Sequence, residues 1–253
     1  PKTKPYTPPK PPDGQPDLQG FWTNPPYVPL ERPQGVTKEF YTPAEAEAAM
    51  KAAAAREAEQ TEPGTTADVH YDFSQFGLDR SQSTIAASLR TSLIVDPPDG
   101  KIPPANAKGQ KRAADRAAAR KSAGGQYDSV QNMPIGSRCI IMGGSGPPMM
   151  NAGYNANYQI VQSPGYVMIL TEMIHDVRII PLDGRPQQPT GVKQWVGLSR
   201  GRWEGETLVV ETMNFNGKNA FQGSSDNLKV TERFTRTADD AITYRFTVED
   251  PQT

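Results

Sequence analysis

Cysteine, histidine and long apolar runs are all scarce in this chain of 253 residues, and each scarcity removes a class of chemistry. Cys139 is the single cysteine, so neither an internal disulfide nor a cysteine-built zinc site can form. The two histidines, His70 and His175, stand far apart in sequence and do not suggest a metal site; no metal and no cofactor is expected. No apolar run approaches the ~20 residues of a membrane-spanning helix. Lys+Arg 27 against Asp+Glu 28 leaves a net charge of −1, which excludes global electrostatic capture of nucleic acid or of an anionic membrane. The G-x-S-x-G elbow, the H-E-x-x-H pair and the dinucleotide fingerprint are missing, which counts against serine hydrolases, zincins and Rossmann dehydrogenases.

Proline is what the chain has in excess. Its 25 prolines are about twice the average share of roughly 5%, while the hydrophobic set is only 36% of the residues. Prolines crowd residues 1–33, in PYTPPKPPDGQP and NPPYVPLERP. A locked φ and a missing N–H make such a stretch extended, partly polyproline II. Phe21, Trp22, Tyr27, Val28 and Leu30 interrupt it with large side chains that a flexible linker does not need. Residues 1–16 therefore read as an arm, and 17–33 as a strap that pins itself to its own domain or to a partner. Pro8, Pro9, Pro11, Pro12, Phe21 and Trp22 are the candidate partner-binding residues, for another protein or a second copy of this one. An arm of this kind has little reason to be ordered on an isolated monomer.

Residues 34–130 read as a helical and loop region. Thr42, Pro43 and Glu45 form a capping-box start, and the Ala/Glu/Lys run that follows carries a helix to about Gln60. A second polar helix is expected from about Ala105 to Ser122. Its basic residues lack interleaved aromatics, so they read as a solvated face. Gly143-Gly144-Ser145-Gly146-Pro147-Pro148 lacks the Lys-Ser/Thr of a phosphate-binding loop and reads as a tight structural loop. Cys139, in Ser137-Arg138-Cys139-Ile140-Ile141, reads as a small buried residue.

The texture changes in residues 131–253. Strand-like runs at 158–162, 166–172, 177–182, 207–212, 228–236 and 241–249 are separated by short turns with no intervening helix. Val230, Glu232, Phe234 and Arg236 alternate with Thr231, Arg233 and Thr235, a period near two. The pattern predicts a mainly β fold, an antiparallel β-barrel or strongly curved meander, preceded by one or two helices and the proline-rich arm.

Polar residues concentrate between 172 and 204. Continuing 172–178 as a strand places Glu172, Asp176 and Arg178 on one face and His175 on the other. A bulge near His175 would instead bring it to Glu172. For an acid–base enzyme the candidates are Glu172, His175, Asp176, Arg178 and Arg202. For a small-molecule ligand they are Tyr158, Asp183, Arg185, Trp195, Ser199 and Trp203. The same groups serve equally as hydrogen bonds that pin loops.

Several long strings carry a resemblance. Arg178–Pro186 contains L-D-G-R-P, Gly197–Val210 contains S-R-G-R-W-E-G-E-T-L-V-V, and Tyr158–Gln162, Asn214-Phe215 and Thr231–Phe234 complete the set. Together they resemble a family of exported bacterial proteins of unknown function, common in soil bacteria, over roughly residues 17–251. The turn pattern is similar to that of lipocalin-like barrels. The resemblance implies a periplasmic or otherwise extracytoplasmic setting, supplies no activity, and leaves 1–16 outside the match. Three functions stay open: a non-enzymatic extracytoplasmic module docking through its arm, an acid–base lyase, isomerase or hydrolase, and a lipocalin-like carrier of a small ligand.

Overall fold

Alternating side chains joined by two-residue turns build the C-terminal half. In the computed structural model, which describes residues 6–11, 14–24, 28–59, 89–125, 127–142, 146–150, 155–185, 191–219 and 221–253, every sheet pairing is antiparallel. Strand β1 (Gly20–Thr23) comes from the strap and pairs with β2 (Asn157–Ser163), Gly20 facing Ile160 and Thr23 facing Asn157. Strands β3 (Tyr166–Thr171) and β4 (Val177–Pro181) complete sheet 1 in the order β1-β2-β3-β4. Pro164-Gly165 turns β2 into β3, with Gly165 at φ +79°, where a glycine carries no steric cost. Strands β5 (Leu198–Glu204), β6 (Thr207–Met213), β7 (Lys229–Ala238) and β8 (Ala241–Glu249) form sheet 2 in that order.

The expected strand through 172–178 does not form. Ile174 and His175 take φ values of 59° and 46°, and the chain doubles back between β3 and β4. Thr171 N–H then donates to the Asp176 carbonyl (2.8 Å), and Glu172 N–H donates to the Asn157 carbonyl (2.9 Å). Two strands were not foreseen, β1 inside the proline-rich strap and the glycine- and arginine-rich β5.

Among the described residues the fold is mainly β, with two antiparallel four-stranded sheets and two α-helices. Among the described residues no strand ladder joins β4 to β5 or β8 to β1. At the β4–β5 seam Gly201 brings the β5 backbone onto side chains. A Cβ there would lie 2.6 Å from Leu182 Cδ2 and 2.9 Å from Ile180 Cγ2, so the contact is packing in place of a ladder. The sheets share one core: Tyr158, Ile160, Val167, Ile169 and Ile180 from sheet 1 meet Leu208, Val210 and Phe234 from sheet 2. Strap residue Leu18 completes that core and is fully buried.

The arm and strap hold to the sheets by named bonds. Leu18 N–H donates to Gln162 Oε1 (2.6 Å), Gln162 Nε2 to the Pro16 carbonyl (3.1 Å), and Trp22 Nε1 to the Leu18 carbonyl (2.9 Å). Tyr6 Oη donates to Asp239 Oδ1 (2.9 Å), and Pro8 and Pro16 are buried. Helix α2 (Ala107–Ser122) starts at Asn106, whose side chain accepts from the Lys108 and Gly109 amides. Arg112 and Arg116 tie it to the sheet unit, donating to the carbonyls of Gln252 (3.0 Å) and Gly217 (3.1 Å) respectively. Lys108 Nζ adds a bond to Gln252 Oε1 (3.0 Å), while Lys111, Arg120 and Lys121 are exposed. Cys139 is exposed, contrary to expectation, because it occupies a turn at φ 51° that directs its side chain away from the core.

The described residues between 24 and 104 form a second compact unit. Helix α1 (Pro43–Glu59) opens on a complete capping box, with Thr42 N–H donating to Glu45 Oε2 (2.8 Å) and Glu45 N–H to Thr42 Oγ1 (3.3 Å). Bonds to Lys38 and then to Thr42 lower the Glu45 pKa to about 2. The chain before α1 is stitched to 89–102. Leu93 N–H donates to the Pro29 carbonyl (2.8 Å) and Arg32 N–H to the Gly100 carbonyl (2.8 Å), while buried Arg32 donates through Nε to Thr91 Oγ1 (3.1 Å).

Candidate functional site

Strand parity places one charged pair in the interior of the sheet unit. In β4, Arg178 faces Ile169 of β3 and so points inward with Ile180. In β7, Glu232 sits between inward Val230 and Phe234. Arg178 is 4% exposed and Glu232 is 0% exposed. Isolated charges at such depth cost several kcal/mol each, so geometry has to compensate. Arg178 Nη1 donates to Glu232 Oε1 (3.0 Å), and Nη2 donates to Glu232 Oε2, a bidentate fork. Nη2 also reaches Ser199 Oγ (3.3 Å) on β5 and Thr212 Oγ1 (3.4 Å) on β6. Tyr244 Oη on β8 donates to Glu232 Oε1 (2.8 Å) and accepts from the Met149 amide (2.9 Å).

The electrostatics fix the protonation states. Burial disfavours the Arg178 cation, but the adjacent Glu232 carboxylate outweighs it and the guanidinium pKa is raised. Burial pushes Tyr158 up to about 12; Arg178 pulls it down and Glu232 pushes it up. Burial also holds Tyr244 well above the usual tyrosine range, and Glu232 adds to it. Arg178 is thereby held as the cation, and Tyr158 and Tyr244 as neutral phenols, around the Glu232 side chain. Chemically this is a clamp that ties sheet 1 to sheet 2. Arg178 Nε and Trp203 Nε1 are buried without a hydrogen-bond partner.

The expected catalytic residues do not converge. Arg178 lies inside. Arg202, on the opposite parity of β5, is exposed and bonded to Glu204 (3.0 Å) and Glu211 (2.9 Å). Glu172 is exposed at the β3–β4 turn, where Oε2 accepts from Asn157 Nδ2 (2.8 Å). His175 is exposed in the same turn; Asp176 is half-buried, and burial raises its carboxyl pKa while His175 opposes the shift. Of the ligand candidates, Tyr158, Ser199 and Trp203 point inward, whereas Asp183 and Arg185 pair with each other in an exposed turn. Trp195 stands apart, half-buried, with Lys218 Nζ 5.9 Å from its ring centre. Glu232 and Tyr244 were missed as site residues, although a glutamate at an inward position between Val230 and Phe234 was a legible signal.

The partner candidates divide as well. Pro8 is buried, Pro11 half-buried and Pro9 exposed; Pro12 and His70 lie outside the described residues. Trp22 turns inward against the core, with Arg236 5.4 Å from its ring centre. Phe21, on the other parity of β1, is 77% exposed.

Phe21 belongs to the outer face of sheet 1. Register aligns Phe21, Gln159, Leu170 and Val177 in one row, and Val161, Met168 and Ile179 in the next. Ser163, Tyr166 and Pro181 form a third. Ile179 is 56%, Val177 46% and Tyr166 43% exposed. No residue in these rows carries a charge. The outer face of sheet 2 has the opposite character, with Arg202, Glu204, Glu211 and Arg233 joined in an ion-pair network and Thr231, Thr235, Thr243 and Thr247 between its charges.

Among the described residues, no cluster of three or more His, Cys, Asp or Glu is placed to hold a metal ion, and no helix is long and apolar enough to cross a membrane. No protein-family model, curated protein or solved structure matches this chain.

Proposed function

We propose that the chain is a non-enzymatic accessory module of an extracytoplasmic assembly, docking through the side of sheet 1 that carries the strap residue Phe21. The observation that carries this reading is the exposure of Phe21 (77%) at the head of an uncharged row that continues through Gln159, Leu170 and Val177. A sheet face that meets only water normally alternates to polar residues, and a contiguous apolar patch marks an interaction site. Arg178 lies in the interior and Arg202 on the outer face of sheet 2, away from the exposed turn that holds Glu172, His175 and Asp176, so the acid–base alternative has no site in which all five meet. In the same proposal the eight strands are a strongly curved, lipocalin-like meander, supported by the packed β4–β5 seam and the shared core. The motif strings between 158 and 234 support membership of the exported bacterial family.

Native mass spectrometry of the protein isolated from its own source tests the reading. The expected spectrum contains a stoichiometric protein complex that disappears in the Phe21→Asp variant. A bare chain in the unsubstituted protein would refute it.

A further inference from the structure

The docking reading leaves the occupant of the sheet 1 face open, and charge narrows the choice. A partner that covers this face must itself present an uncharged apolar surface. Any buried charge would find no counter-ion among Phe21, Leu170, Val177, Val161, Met168 and Ile179. The same face of another copy is one such surface. The outer face of sheet 2 does not qualify, because its ion-paired arginines and glutamates would be stripped of water against apolar side chains.

We infer that the chain forms a two-fold symmetric dimer by packing the outer face of sheet 1 against the same face of a second copy. The inference rests on the docking reading and names its partner. Self-pairing of one patch closes after two subunits, which suits a face that has no second complementary surface and avoids open-ended fibres. A net charge of −1 adds almost no mutual repulsion between copies. Four strands about 4.8 Å apart and roughly six residues long give a footprint of about 400 Å² per copy. Corrugated side chains enlarge that to a total buried area on the order of 1,000–1,200 Å², the lower end of specific interfaces.

Sedimentation velocity on the purified chain from about 1 to 100 µM reads the association directly. The expected result is a concentration-dependent shift from monomer to dimer. Ile179→Lys and Met168→Glu, each at an outward position, should weaken that dimer at least tenfold while leaving far-ultraviolet circular dichroism, and the thermal midpoint measured at concentrations where the parent is monomeric, unchanged. A chain that stays monomeric at 100 µM overturns the inference, and so does a dimer indifferent to both substitutions. The two readings separate cleanly. A monomer that binds a different protein stoichiometrically, and loses it on Ile179→Lys, sinks the self-pairing and leaves the docking function standing. A monomer that binds no protein sinks both.

Discussion

Replacing Glu232 by glutamine preserves volume and removes one charge from the interior clamp. Arg178 then remains buried at 4% exposure with no counter-ion, and an amide NH₂ faces the guanidinium it formerly accepted from. Breaking a buried pair in this way costs about 3–5 kcal/mol. For a protein of this size each kcal/mol lowers the midpoint by roughly 2–4 °C, so the transition of the sheet unit should fall on the order of 10 °C. Arg178→Met should cost a similar amount, by stranding the carboxylate. The double variant Arg178→Met/Glu232→Leu removes both charges together and should recover most of the loss, save about 1–3 kcal/mol for the Tyr244 hydroxyl left without its acceptor. Differential scanning calorimetry and urea titration of the four proteins complete the cycle. A single substitution costing under about 1 kcal/mol, or single costs that add within about 0.5 kcal/mol in the double variant, would refute the clamp.

Alkaline stability supplies an independent check. Tyr158 must stay neutral in the folded protein, with its pKa raised to about 12 from 10.0 in the unfolded chain. A raised folded-state pKa contributes stability that is complete below pH 10 and disappears as pH rises toward 12, amounting to about 3 kcal/mol. Urea titrations between pH 9 and 12 should show that decline, and Tyr158→Phe should flatten it; an unchanged slope in the variant would assign the decline to other groups. Leu18→Ala should cost about 2–5 kcal/mol, because the strap supplies a fully buried side chain to the shared core. A midpoint within 1 °C of the parent would show the strap to be detachable.

The hairpins were readable because their signals are local. Pro164-Gly165, Glu204–Glu206 and Asp239-Asp240 mark reversals between alternating runs, and the ladders form around them. The helix start at Thr42 was equally plain, since the capping box lies within four residues. Strand β1 was hidden, because its partner β2 is remote in sequence and prolines on both sides point to extended chain of any kind. Strand β5 was hidden by Gly201, whose missing side chain is required by the closeness of Ile180 and Leu182 on another strand. The candidate site was half-legible. Arg178, Ser199 and Tyr158 were singled out, but as parts of an enzyme or ligand site, and parity alone could not say which of Arg178 and Arg202 faced inward. Glu232 went unnoticed as a site residue because its partner is supplied from the other sheet.

The attachment of β1 to β2 also has a topological meaning. Leu18 and Gln162 are bonded across 144 residues of chain, so in sequence the second compact unit and helix α2 fall between the first strand and the rest of its sheet. Closure entropy grows only logarithmically with such a span, by about 0.6 kcal/mol for each doubling. Tens of residues could therefore be gained or lost between Thr23 and Asn157 with little effect on how firmly the strap seats. Such changes leave the core intact where they fall within 24–104, since helix α2 and the core residue Met149 belong to the sheet unit itself.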